Sequence, residues 1–148
     1  MGEARTILVG VDGSKGSVHA LRWALAEARL RGDTIEIVNC WHIPSYGDVT
    51  GMVPVPSDVM RDSAAAAVAE VLTSVADEAK GVAVTSRVEL GSAARTLIDA
   101  SNQADLLVVG RRGHGGFVSL VMGSVAQQVA AHAHCPVVIV AADEPASS

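Results

Sequence analysis

The sequence predicts an α/β domain: a parallel sheet of five strands with helices on both faces. Three observations predict it. Short apolar runs rich in Val, Ile and Leu recur along the chain, segments with a helical apolar period separate them, and Gly, Ser or Asp marks the junctions. The order that results is β-α-β-α-β-α-β-α-β, and strands joined in this way lie parallel with right-handed crossovers.

Thr6 to Val11 reads as a strand buried on both faces, closed by the turn Gly10-Val11-Asp12-Gly13-Ser14. A helix follows with Val18, Leu21, Leu25 and Ala28 on one face, Arg22, Glu27 and Arg29 off it, and Gly32-Asp33 as its stop. Thr34 to Trp41 is the second strand. Residues 42–58 are proline-rich with no apolar period, a long loop of the kind that forms lids or binding segments. Ser57 is expected to cap a helix with Ala64, Val68, Val71, Val75 and Ala79 inward, ended by Gly81. Val82 to Leu90 is the third strand. Ser92 caps the next helix, with Leu97 and Ile98 inward, and Ala104 to Val109 is the fourth strand. A helix on Val125 and Val129 and a last strand, Pro136 to Val140, complete the series.

With 148 residues the chain is one domain, expected over 1–142 with a polar, frayed tail at 143–148. Hydrophobic residues make up 49% and charged residues 18%, enough apolar surface for a sizeable core. A net charge of -5 with no basic stripe excludes general nucleic-acid binding. No apolar run approaches the ~18 residues of a membrane span, and the start MGEARTILVG has no cleavage pattern, so a cytoplasmic protein is expected. Cys40 and Cys135 are expected on strands two and five, too far apart for a disulfide.

The functional signal lies in two glycine clusters. Gly10, Gly13 and Gly16 follow the first strand; Gly110, Gly113, Gly115, Gly116 and Gly123 follow the fourth. In open α/β sheets ligands bind outside the carboxyl ends of the strands, where both clusters fall. Glycine lets the backbone approach a phosphate closely, and the helix opening at Gly123-Ser124-Val125 adds free N–H groups and a favourable dipole. Ser124 is expected to contribute a hydroxyl and to cap that helix. The P-loop pattern is absent, because the lysines are Lys15 and Lys80, and G-x-G-x-x-G fails at Val118.

The spacing Gly110-Arg111-Arg112-Gly113, nine residues, Gly123-Ser124 resembles the G-x2-G-x9-G-[ST] motif of the ATP-binding branch of the universal stress protein family. The likeness extends to ILVGVDGS at the start, DLLVVGRRGHGG after the fourth strand and GSVAQQVAAHAHCPVVIV at the end. The resemblance implies a doubly wound five-stranded sheet of order 3-2-1-4-5. It also implies an adenine-nucleotide site: Val11 and Asp12 at the adenosine, with Gly13 in the same loop, Cys40 presenting main chain to adenine, Gly110 and Gly113 at ribose and phosphates, and Gly123, Ser124 and Val125 at the phosphates. Arg112, with Arg111, puts positive charge beside them, and ATP or another adenine nucleotide, with Mg²⁺, is the expected ligand. Arg111 departs from the small hydroxyl residue common at its position in the family. The resemblance further implies a homodimer through the last strand, Pro136 to Ala141.

Other residues carry plainer readings. Asp12 also suits an Asx-turn. No Ser-His-Asp set is readable, so no catalytic residue is assigned. His132 and His134, two apart at a helix end, point in different directions and predict no metal site. His114 is either a phosphate contact or a solvated loop residue. The leading expectation is a nucleotide-responsive dimer with at most slow ATP hydrolysis; the alternatives are a nucleotide hydrolase or adenylyl-transferring enzyme in the same crevice, and an interaction module presenting loop 42–58.

Overall fold

The computed structural model of the chain describes residues 4–41, 57–112 and 122–141. The elements are β1 (Thr6–Gly10), α1 (Lys15–Arg31), β2 (Thr34–Trp41), α2 (Ser57–Ser74), α3 (Ala76–Ala79), β3 (Val84–Leu90), α4 (Ala93–Ala100), a 3-10 turn (Ser101–Gln103), β4 (Leu106–Gly110), α5 (Ser124–His132) and β5 (Val137–Val140). The sheet order is β3-β2-β1-β4-β5 with every pair parallel, as the family resemblance implies.

Alternation along the central strands makes two cores. Ile7 and Val9 of β1, Ile35 and Ile37 of β2, and Leu106 and Val108 of β4 face α1 and α2, meeting Leu21, Leu25, Val68 and Val71. Leu8, Val38, Leu107 and Val109 face the other way, against Leu97 of α4 and Ala126 and Val129 of α5. Leu107 is fully buried in the second core. Leu107→Ala is expected to cost about 2–5 kcal/mol, read as a lower midpoint in urea unfolding.

Several boundaries differ from expectation. Ser57 lies inside α2 rather than capping it, and with Asp58 in the first turn the loop ends before residue 57. The expected long helix is broken at Val75: Thr73 and Ser74 bond their hydroxyls back to the carbonyls of Ala69 and Val71, and Val75 turns into the core. Val82 belongs to the preceding turn, its N–H held by the Ala79 carbonyl at 3.0 Å. Ala104 closes the 3-10 turn, and the Asp105 carboxylate accepts from the Thr6 N–H, so β4 begins at Leu106 and extends to Gly110. Cys135 falls just before β5, not on it, and both cysteines are free. Residues 143–148 and most of the 42–58 loop lie outside the described residues. Among the described residues no helix is long and apolar enough to cross a membrane.

The two edges of the sheet differ in chemistry. On β3, Arg87 pairs with Glu89 at 2.9 Å and with Glu36 of β2 at 3.7 Å, so charge blunts that edge. β5 reads Val137-Val138-Ile139-Val140, and all four residues are only partly buried.

Candidate functional site

The β1–α1 loop is built by local hydrogen bonds. Asp12 Oδ1 accepts from the Ser14 N–H at 2.9 Å and from the Ser14 hydroxyl, which is the Asx-turn reading of Asp12. Ser14 is the N-cap of α1: its Oγ accepts from the Ser17 N–H at 3.2 Å. Gly13 sits at φ 87°, in the left-handed region, which lets the turn close in so few residues. Behind the loop, the Val11 N–H donates to the Val38 carbonyl and the buried Asn39 Nδ2 donates to the Val11 carbonyl at 2.7 Å. Asn39 was not a candidate from the sequence. Its signal was there, since an amide in the apolar run TIEIVNCW has to find a buried partner.

Gly110 and Gly16 bring the second cluster against this loop. A Cβ on Gly110 would lie 2.8 Å from the Gly16 carbonyl carbon and oxygen, and one on Gly16 would lie 2.6 Å from the Arg112 carbonyl oxygen. These glycines therefore serve contact between two backbones of the chain itself, where the sequence suggested room for a phosphate. The Arg111 N–H bonds to the Val140 carbonyl of β5, and the Arg111 carbonyl accepts from the Gly123 N–H at 2.8 Å, so the start of α5 is tied to the end of β4.

At that start the helix differs from expectation. Gly123 is the N-cap, extended at φ -66° and ψ 162°, and Ser124 is the first helical residue, so Ser124 does not cap α5. Gly123 takes the half-in position because its N–H is held by Arg111 and its carbonyl already accepts from Gln127 at 3.0 Å. With no side-chain cap among the described residues, the first turn has N–H groups to offer another acceptor.

These parts enclose a cavity of about 300 Å³ at the carboxyl ends of the strands. Val11 and Asp12 line it from β1, Cys40 from β2, Gly110 and Arg112 from the end of β4, and Gly123, Ser124 and Val125 from α5. Gly13 shapes the turn without lining the cavity, and Gly113 and His114 lie outside the described residues. Arg111, with Leu97 and Ala93 of α4, completes the wall. A neighbouring hollow of about 780 Å³ shares Asp12, Cys40 and Ala93 and extends to Trp41 and Met60.

Cys40 is half-buried. Burial pushes its thiol up, outweighing the hydrogen bond with Thr96, so it presents a protonated, weakly polar wall. Cys135 is raised for the same reason. Among the described residues no three His, Cys, Asp or Glu side chains are grouped to hold a metal ion.

Comparison with known proteins agrees with this architecture. The model of the universal stress protein family matches residues 3–141. The chain belongs to the universal stress protein family. Universal stress protein Rv2624c of Mycobacterium tuberculosis is 33% identical over 147 residues, covering 97% of this chain and 51% of that protein. The chain thus spans about half the length of that relative. A universal stress protein crystallised in complex with cAMP is 26% identical at a TM-score of 0.69, covering 96% of this chain and all of that one (100%). The Arabidopsis thaliana family member At3g01520, solved with AMP bound, is 22% identical at a TM-score of 0.60 with 97% of both chains covered, a likeness of fold.

Proposed function

We propose that this universal stress protein binds an adenine nucleotide, ATP or a relative of it, in the crevice between β1, β4 and the start of α5. The observation that carries the reading is the junction of the two glycine clusters, at Gly16 and Gly110, with an α5 N-terminus that no side chain caps among the described residues. Backbone N–H groups in that position favour a polyphosphate even on a chain of net charge -5. The apolar wall of Val38, Cys40, Leu97 and Val109 suits a purine ring at the other end. Family members solved with cAMP and AMP support the ligand class.

Asp12 supplies a carboxylate on the wall, and Ser14 and Ser124 supply hydroxyls, a donor set that fits Mg²⁺ held jointly with nucleotide phosphates. Bound there, the ion would screen phosphate charge. The turn already takes Asp12 Oδ1, and among the described residues no second side chain is set to activate water, which favours at most slow hydrolysis. The same reading takes the protein to be cytoplasmic and to dimerise through the last strand, Pro136 to Ala141.

A thermal-shift panel of ATP, ADP, AMP and cyclic AMP, with and without Mg²⁺, tests it. A ligand at about 100 times its Kd stabilises by roughly 2.7 kcal/mol, which raises Tm by ~5–10 °C in a domain of this size. Absence of any shift, in protein shown to be free of co-purified ligand, overturns the proposal.

A further inference from the structure

Arg111 stands apart from the other cations of the chain. Its Nε is buried and has no hydrogen-bond partner among the described residues. None of the ion pairs among those residues includes it. Its backbone is held on both sides, its N–H by the Val140 carbonyl and its carbonyl by the Gly123 N–H, which fixes the point from which the partly buried side chain leaves the chain. It lines the nucleotide crevice between Gly110 and the first turn of α5.

A guanidinium keeps its charge at any working pH, and a buried N–H of a charged group without an acceptor is costly. We infer that Arg111 is the anion-recognition residue of this crevice, its guanidinium donating to a phosphate oxygen of the bound ligand. The assignment rests on the nucleotide reading above and adds selectivity to it. Backbone N–H groups attract any phosphate, whereas a planar donor fixed in the wall favours ligands whose phosphate reaches it and does nothing for the nucleoside. A small hydroxyl at this position would make one neutral hydrogen bond, so this chain replaces a weak polar contact with a charged one.

The test is calorimetric titration of the full chain, as wild type, Arg111→Met and Arg111→Lys, with ATP, adenosine and inorganic tripolyphosphate. Methionine keeps the apolar stem and removes every donor; lysine keeps the charge and removes Nε. Arg111→Met is expected to bind ATP and tripolyphosphate roughly 10- to 100-fold more weakly, with adenosine unchanged and Arg111→Lys in between. Without ligand, Arg111→Met is expected to melt at or above the wild-type temperature, because the orphan donor is gone. Equal ATP affinity in Arg111→Met and wild type, equal losses for adenosine and ATP, or a lower unliganded Tm would overturn the assignment. Should the wild type take up tripolyphosphate in an Arg111-dependent way but neither adenosine nor ATP, the adenine reading fails and the anion assignment stands. Should the wild type bind neither ATP nor tripolyphosphate, both fall.

Discussion

Gly110→Ala is expected to lower stability by about 1–3 kcal/mol and to weaken nucleotide binding in the same variant. The new methyl group would lie 2.8 Å from the backbone of Gly16, and no rotamer relieves a clash between a Cβ and a main chain. Either β4 or the first turn of α1 has to move. The end of β4 leads directly into Arg111, whose carbonyl holds the Gly123 N–H at the N-cap of α5, so movement there opens the crevice as well as the core. Urea unfolding and ATP titration on one preparation check both effects, with a Tm fall of ~2–10 °C as the quick readout. Gly16→Ala is expected to behave alike, since its methyl would meet the Arg112 carbonyl at 2.6 Å. The double variant should cost less than the sum, because either substitution alone already parts the same two backbones. Full stability in Gly110→Ala would show that the layers are not held by this contact.

The same pair of glycines marks the limit of what the sequence discloses. Their clustering at two strand ends was legible, and so was the crevice they share, because an α/β sheet puts successive loops at its carboxyl edge. Their purpose was not. A glycine that admits a phosphate and one that admits another backbone look the same in one dimension, and only the 2.8 Å approach separates them. Strand and helix identities followed from apolar period, whereas the break at Val75 did not, since Val75 continues the helical face and the serine and threonine hydroxyls that compete with the helix precede it. The cap at Gly123 instead of Ser124 was likewise invisible, because the carbonyl that accepts the Gly123 N–H belongs to Arg111, remote from it in the sequence. Asn39 is the site residue that the spacing motif passes over, read by polarity inside an apolar strand; Arg111 was legible as charge beside the phosphates, but its buried Nε is seen only in three dimensions.

Val137→Pro is expected to turn the proposed dimer into a monomer while the fold survives. The Leu107 N–H donates to the Pro136 carbonyl and the Arg111 N–H to the Val140 carbonyl, so even-numbered residues of β5 face β4. By the two-residue period of a strand, Val137 and Ile139 turn their N–H and carbonyl groups away from the sheet. Proline at 137 therefore removes a donor that β4 does not use, which is the setting in which an edge strand tolerates it. A second copy pairing antiparallel along β5 does use that donor, and two-fold symmetry makes the loss occur twice. At ~0.5–1.5 kcal/mol for each net hydrogen bond, the dimer Kd rises roughly 5- to 150-fold before any clash of the ring is counted. Val137→Ala serves as the control: it trims the side chain, keeps the N–H and is expected to remain dimeric. Light scattering with analytical ultracentrifugation of the three proteins reads the outcome directly. A wild type that is a monodisperse monomer at micromolar concentration removes the β5 dimer, and a Val137→Pro protein that stays dimeric places the contact on another face. The apolar, uncharged edge at β5, against the charged opposite edge at β3, is the reason to expect neither result.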